Sequence, residues 1–171
     1  MGRYAKIQKN DIVNGNGVCV SFWTQGCPHR CPGCHNSETW DCEGGKEFSA
    51  EALREIMEAI ENNGVKRNLS ILGGEPLMPS NLVMVENVIR ATRAVHPESK
   101  IYLWTGYTLE EMNEKQLDVA LSVDYLIDGR FELDKKDLTI GYGGSTNQRL
   151  IDVQATKKSG ELKKLDSFKN I

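Results

Sequence analysis

Residues 17–35 read GVCVSFWTQGCPHRCPGCH. Over 17–23 apolar and smaller side chains alternate, the period of a strand. The chain then enters a loop with three cysteines, Cys27, Cys31 and Cys34, spaced C-x3-C-x2-C. Two of the chain's five prolines, Pro28 and Pro32, lie between them. A strand that delivers a thiol-rich loop from its C-terminal end raises one question for the rest of the chain. Do further strands deliver loops to the same place?

Downstream, they are expected to. Residues 36–48 are polar and glycine-containing, hence a loop. Ser49 is placed to cap a helix over 50–62, where Leu53, Ile56, Met57 and Ile60 form one apolar stripe and Asn63-Gly64 ends it. A strand at 67–72 leads straight into Gly73-Gly74-Glu75-Pro76. A second helix over about 80–95, with Leu82, Val85 and Ile89 on one face, stops at His96-Pro97. A strand at 100–105 follows. Thr108 and Glu111 have capping-box spacing for a helix near 109–121, and 123–128 reads as another strand. This alternation predicts a single α/β domain over 1–171, a mostly parallel sheet with helices on the outside and right-handed crossovers. Loops at the ends of parallel strands carry the site in such folds, so the cysteine loop, the Gly-Gly-Glu-Pro turn and the Thr105-Gly106-Tyr107 turn should meet on one rim. Beyond 129 the pattern weakens. One more strand is expected near 149–154, and the lysine-rich 157–171 reads as a flexible, solvated tail.

Composition narrows the class. With 171 residues, 39% hydrophobic and 26% charged, the chain has the make-up of one folded domain. The net charge of -3 argues against a nucleic-acid binder. No apolar run is long enough to span a membrane, and the N-terminal stretch has neither a signal core nor a myristoylation pattern, so a cytoplasmic protein is expected. The five cysteines are odd in number and bunched in the first quarter, which is unlike a secreted disulfide framework and suits a metal or redox site.

Three chemistries compete for the loop. Unpaired surface thiols so close together invite oxidation without any packing gain. Structural zinc wants four ligands, usually from two paired elements, and here there is one element, with His29, His35 or Cys42 as the remaining candidates. An iron–sulfur cluster takes thiolates. With a four-iron cube, three cysteines leave one iron open to a small-molecule ligand.

The surrounding words carry a resemblance. DIVNG (11–15), TQGCPHRCPGCHNSETW (24–40), LGGEPL (72–77), WTGYTLEEM (104–112), DYLIDGRF (124–131) and GSTNQR (144–149) together resemble the radical S-adenosylmethionine (SAM) superfamily. Within it they resemble the anaerobic ribonucleoside-triphosphate reductase activating proteins. The motifs run from 11 to 149, most of the chain. The resemblance implies a partial (β/α) barrel in which Cys27, Cys31 and Cys34 ligate a [4Fe-4S] cluster. SAM chelates the fourth iron, Gly73, Gly74 and Glu75 of the Gly-Gly-Glu-Pro element align its amino group, and Gly33, Cys34 and His35 add contacts. Thr105 is expected in the pocket wall, with Gly106 and Tyr107, whereas Trp104 reads as core. Many superfamily members carry an aromatic residue before the third cysteine, where this chain has Gly33, which leaves His35 as the candidate against the adenine. Asp128 and Arg130 could face SAM or a partner, Cys19 reads as a buried strand residue, and Cys42 as a loop thiol. The implied reaction is reductive cleavage of SAM, with an electron from a low-potential donor such as flavodoxin. The 5'-deoxyadenosyl radical so formed takes a hydrogen atom from a glycine of the reductase's large subunit. Activation of another glycyl-radical enzyme, small-molecule radical SAM chemistry and a zinc-stabilised binding module are the alternatives.

Overall fold

The computed structural model describes residues 2–171. Strands β1 (Arg3–Asp11) and β2 (Cys19–Thr24) form an antiparallel hairpin, and β3 (Lys46–Glu47) returns to pair with β1. Helix α1 (Ala50–Ile60) is followed by a small separate hairpin, β4 (Glu61–Asn62) and β5 (Val65–Lys66). Then come β6 (Asn68–Gly73), α2 (Leu82–Val95), β7 (Ile101–Trp104), α3 (Glu114–Ala120) and β8 (Tyr125–Asp128). The chain closes with β9 (Arg149–Asp152), α4 (Val153–Ser159) and β10 (Lys164–Leu165). Eight strands make one sheet in the order β10-β9-β8-β7-β6-β2-β1-β3. Its centre, β2-β6-β7-β8, is parallel, and antiparallel pairs flank it on both sides.

Strand side chains alternate between faces, and here the two faces have different chemistry. Val20 and Phe22 of β2, Leu69 and Ile71 of β6, Ile101 and Leu103 of β7 and Leu126 of β8 pack with Ile56, Val85, Val88, Ile89 and Val119 from α1, α2 and α3. Each such buried aliphatic contributes about 1.5–3 kcal/mol. The intervening residues include Cys19, Ser21, Trp23, Ser70, Tyr102, Trp104 and Ile127. On this side Cys19, Tyr102 and Ile127 form a second cluster with Leu150 and Phe168. Loops lie over this face. The Ser70 hydroxyl donates to the Asn14 carbonyl, and buried Asp11 accepts from Ser21 at 2.6 Å and from the Val13 and Asn14 backbone N–H groups.

The expected strand–helix alternation is present, with corrections at its ends. Strand β1 is absent from the sequence reading because only Tyr4 and Asp11 of its nine residues are buried, which leaves no apolar period. Asn63 and Gly64, both with positive φ, make the β4–β5 turn rather than a helix cap. The helix expected over 109–121 is split. Thr108 and Glu111 do form a capping box, but on a 3-10 turn at Leu109–Glu111, and Asn113 with Gln116 caps α3 separately. The strand expected to 154 ends at Asp152, whose side chain caps α4 through the Ala155 N–H. For 157–171 the sequence predicts a solvated tail. The structure instead pairs β10 with β9 and seats Phe168 edge-on to Tyr102 at 5.4 Å and Trp104 at 6.0 Å.

Phe168→Ala is therefore expected to destabilise the chain by about 3 kcal/mol, read as an earlier urea midpoint followed by tryptophan fluorescence. An unchanged midpoint would mean that the segment does not dock.

Candidate functional site

Thr24 and Gly73 are register partners at the ends of β2 and β6, so the cysteine loop and the Gly-Gly-Glu-Pro turn start side by side. The cysteine loop is closed at its neck. Gly26 N–H donates to Thr39 O at 2.8 Å and Cys27 N–H to Trp40 O at 3.2 Å, while the Gln25 side-chain amide donates to Asp41 O at 2.8 Å. The two loops touch through their backbones: Gly74 N–H donates to Thr24 O and Glu75 N–H to Gly26 O. A Cβ on Gly74 would lie 2.4 Å from Gly26 O, and one on Gly73, which has φ +107°, would lie 2.7 Å from Thr24 O. Both glycines are therefore required by this contact.

Glu75 ties the rim together. Its side chain is wholly buried and its carboxylate accepts from Leu77 N–H, Thr105 Oγ1 and Gly106 N–H, each at 2.8 Å, and meets His29 Nε2 at 2.9 Å. One carboxylate thus joins the cysteine loop, the β6 turn and the β7 turn. His29 is held further by the Tyr107 ring, edge-on at 4.6 Å. Asn81 sits at the start of α2, where its side chain would ordinarily cap. Its amide donates instead to Gln25 O at 2.9 Å and Glu75 O at 3.0 Å, bridging the roots of both loops.

Beside this knot lies a cavity of about 510 Å³. Cys27, Cys31, Cys34, His35, Gly73, Gly74, Glu75 and Thr105 line it, and so do Trp23, Trp40, Trp104, Arg130 and Phe131. None of the three loop cysteines is in a disulfide. Burial pushes the Cys27 and Cys31 thiols up. Backbone N–H groups of His29 and Arg30 pull Cys27 back, and the Phe131 N–H and the Arg130 charge do so for Cys31. Among the described residues, no three His, Cys, Asp or Glu side chains converge to hold one metal ion. His29, a candidate fourth zinc ligand, is engaged with Glu75. Three unpaired cysteines on one cavity suit a polynuclear cluster, in which each thiolate holds a different iron. The buried indole N–H groups of Trp23 and Trp40 have no hydrogen-bond partner, and both rings line the cavity. Unpaired donors there suit a ligand with carboxylate or carbonyl oxygens.

Of the nine residues expected around cluster and cofactor, eight line the cavity, and Gly33 does not. Gly33 has φ +74°, the left-handed region that favours glycine, and it faces the Leu133 side chain. His35 is exposed and its ring lies 6.2 Å from Phe131. Tyr107 supports His29 rather than lining the cavity, and Trp104 both packs in the second cluster and lines it. Asp128 does not face the cavity. It is buried, accepts from Leu109 N–H at 3.0 Å and pairs with Arg149. Arg149 also grips Glu110 through its two terminal guanidinium nitrogens, at 3.0 and 2.8 Å. Cys19 is buried and its thiol is pushed up to about 11 by desolvation, while Cys42 is exposed. Gln25, Asn81 and Trp23 escape sequence reasoning, because a buried amide and a strand tryptophan look like ordinary polar and core residues. The signal that finds His29 is its place inside the cysteine spacer.

Comparison with known proteins agrees with this geometry. Residues 13–151 match the family model of the 4Fe-4S single cluster domain. The chain is 37% identical over 139 residues to the anaerobic ribonucleoside-triphosphate reductase-activating protein of Escherichia coli (strain K12), covering 81% of this chain and 90% of that one. The protein of the same name from Enterobacteria phage T4 is 38% identical over 149 residues, 86% and 92% of the two chains. That of Salmonella typhi is 36% identical over 147 residues, 85% and 96%.

Glu75→Gln sets an amide against donors and is expected to cost at least about 2 kcal/mol, seen as an earlier urea midpoint with lower iron content after reconstitution. Parent-like stability and loading would show that the knot is dispensable. Arg149 hydrogen bonds hold the Glu110 carboxyl at about 2, against an ordinary 4.5. The unfolded chain therefore takes up this proton at higher pH than the folded one. The pair's contribution is complete above about pH 4.5 and is lost as pH falls toward 2. Glu110→Gln should flatten the acid limb of the stability profile in that window and nowhere above it.

Proposed function

The chain belongs to the family of anaerobic ribonucleoside-triphosphate reductase-activating proteins, and from that premise we propose that it is a radical SAM activase of an anaerobic ribonucleoside-triphosphate reductase. The observation that carries the reading is the spread of three unpaired thiols around one cavity, locked by backbone contact to a Gly-Gly turn. When bound, the cluster supplies an electron that splits SAM, and the radical set free takes a hydrogen atom from a glycine of the reductase's large subunit.

The residues divide the remaining work. Cys27, Cys31 and Cys34 hold the cluster. Gly73 and Gly74 bring backbone carbonyls close to the amino group of SAM, which needs acceptors. Glu75 acts from behind them, because its own carboxylate oxygens are already taken up by donors on the three loops. Gly33, His35 and Thr105 complete the SAM pocket, and the Trp23 and Trp40 N–H groups offer donors to its carboxylate. Beyond cluster and SAM, no side chain need act as acid or base. The protein binds, orients and excludes water.

We read the one-sided sheet as a partial barrel. Helices α1, α2 and α3 cover one face, and among the described residues only loops and the C-terminal segment cover the other, so a loop of a large protein substrate has a route to the cavity. The electron donor in this reading is a low-potential protein such as flavodoxin, and the setting is the cytoplasm. Among the described residues, no helix is long and apolar enough to cross a membrane.

Anaerobic reconstitution should give a brown protein with about four irons per chain. With reductant, SAM and the reductase it should yield 5'-deoxyadenosine and a glycyl EPR signal on the reductase. Cys31→Ala should lose both the cluster and the signal. A colourless protein holding one tight zinc would overturn the reading. 5'-Deoxyadenosine without a glycyl signal would overturn the substrate alone.

A further inference from the structure

Val13 and Leu138 are 72% and 63% exposed, yet both line the cavity. A side chain that is both exposed and part of the lining stands on the rim. The two come from different connections. Val13 lies between β1 and β2, where the parallel strands begin, and Leu138 between β8 and β9, beyond the end of the last parallel strand. The mouth of the cavity therefore has two aliphatic lips, brought together from opposite ends of the strands.

Both lips are tied down. Asp11 accepts from the Val13 N–H at 2.8 Å, the Asn14 N–H at 3.2 Å and the Asn14 side-chain amide at 2.7 Å, and Ser70 holds the Asn14 carbonyl. Leu138 stands on a hairpin stitched by Asp137 N–H to Gly144 O and Thr146 N–H to Lys135 O, each at 3.0 Å. Gln148 braces its returning arm, accepting from Gly144 N–H at 2.7 Å and donating to Gly129 O at 3.0 Å. The Trp104 indole N–H donates to Tyr142 O at 2.8 Å. The exposure of both side chains is thus built into the fold, and it leaves apolar surface in water until something covers it. The carboxylate and guanidinium of the lining are already engaged, Glu75 by its four donors and Arg130 by Glu111 at 3.4 Å.

We propose that Val13 and Leu138 are the lips that select the glycine-bearing segment of the reductase's large subunit. The proposal rests on the reading of the chain as that reductase's activase. A glycine has no side chain to be recognised, so selection must fall on its neighbours in sequence. Its Cα has to reach into the cavity, so the neighbours on its two sides pass the two lips. Aliphatic lips read those neighbours as apolar. A segment with charge at those places would lose hydration against them and gain no counter-charge in return.

The test is photocrosslinking of the anaerobically reconstituted full chain to the whole reductase in the presence of SAM, paired with a binding titration. Leu138→p-benzoylphenylalanine should crosslink to the reductase beside its target glycine. Val95→p-benzoylphenylalanine, at the end of α2 and 58% exposed, should not. Crosslinks from position 138 that map elsewhere on the reductase, or to a second copy of this chain, would overturn the proposal. Val13→Ser and Leu138→Ser should each weaken reductase binding about tenfold while retaining about four irons, and Val95→Ser should bind as the parent does. Binding unmoved in both lip variants, or weakened as much by Val95→Ser, would overturn the proposal as well. A parent chain that takes up the cluster and cleaves SAM but leaves no glycyl signal on the reductase would defeat the activase reading, and the proposal with it.

Discussion

A single buried carboxylate organises the working end of this protein. Glu75 has no access to water, so its charge is tolerable only with every oxygen satisfied. The donors that satisfy it come from the cysteine loop, from its own turn and from the turn after β7. Once those bonds form, the loops have little freedom left relative to one another. The glycines beside Glu75 let the loops approach closely enough for the bonds to be made. The thiols need contribute no folding energy of their own, because the loop that carries them is fixed from its neck and from His29.

The sheet then sorts its two faces by task. The helical side is aliphatic and generic. The other side mixes serines, aromatics and a buried cysteine, with loops for a roof, and the thiol-lined cavity opens there. Side chains one residue apart on the same strand thus belong to different worlds: Phe22 is packing, and Trp23 is cavity wall. This explains why so few βα units suffice. The helices are needed on one side only, and the open side is where a partner must arrive.

Much of this was legible in the sequence, because local signals and tertiary needs coincide along 49–128. Ser49 caps a helix as its type suggests, and the parallel strands have apolar runs that only burial explains. The cysteine spacing and the Gly-Gly pair mark the site because few other residues meet those demands. Other features were hidden for physical reasons. Strand β1 gains its place from hairpin bonding with β2 rather than from apolar period. Asn81 occupies a cap position but spends its amide on a long-range bridge, 56 residues from Gln25 in sequence. Gln148 is meaningful only once the β8–β9 register is known. The lysine-rich C-terminus looked solvated because its charges outnumber its one anchoring aromatic, Phe168.

The sheet's outermost strands, β3 and β10, are each only two residues long. A long exposed edge is a template for another chain to add a strand, and very short edge strands remove it. This chain covers one face with loops and its C-terminal segment rather than with helices, a risk for self-association in any protein. At the β10 edge, growth of the sheet into fibres has little to build on, and where β1 runs on beyond β3 its exposed Lys6 and Lys9 oppose strand addition. On the cavity side, shape and chemistry can then choose among partners.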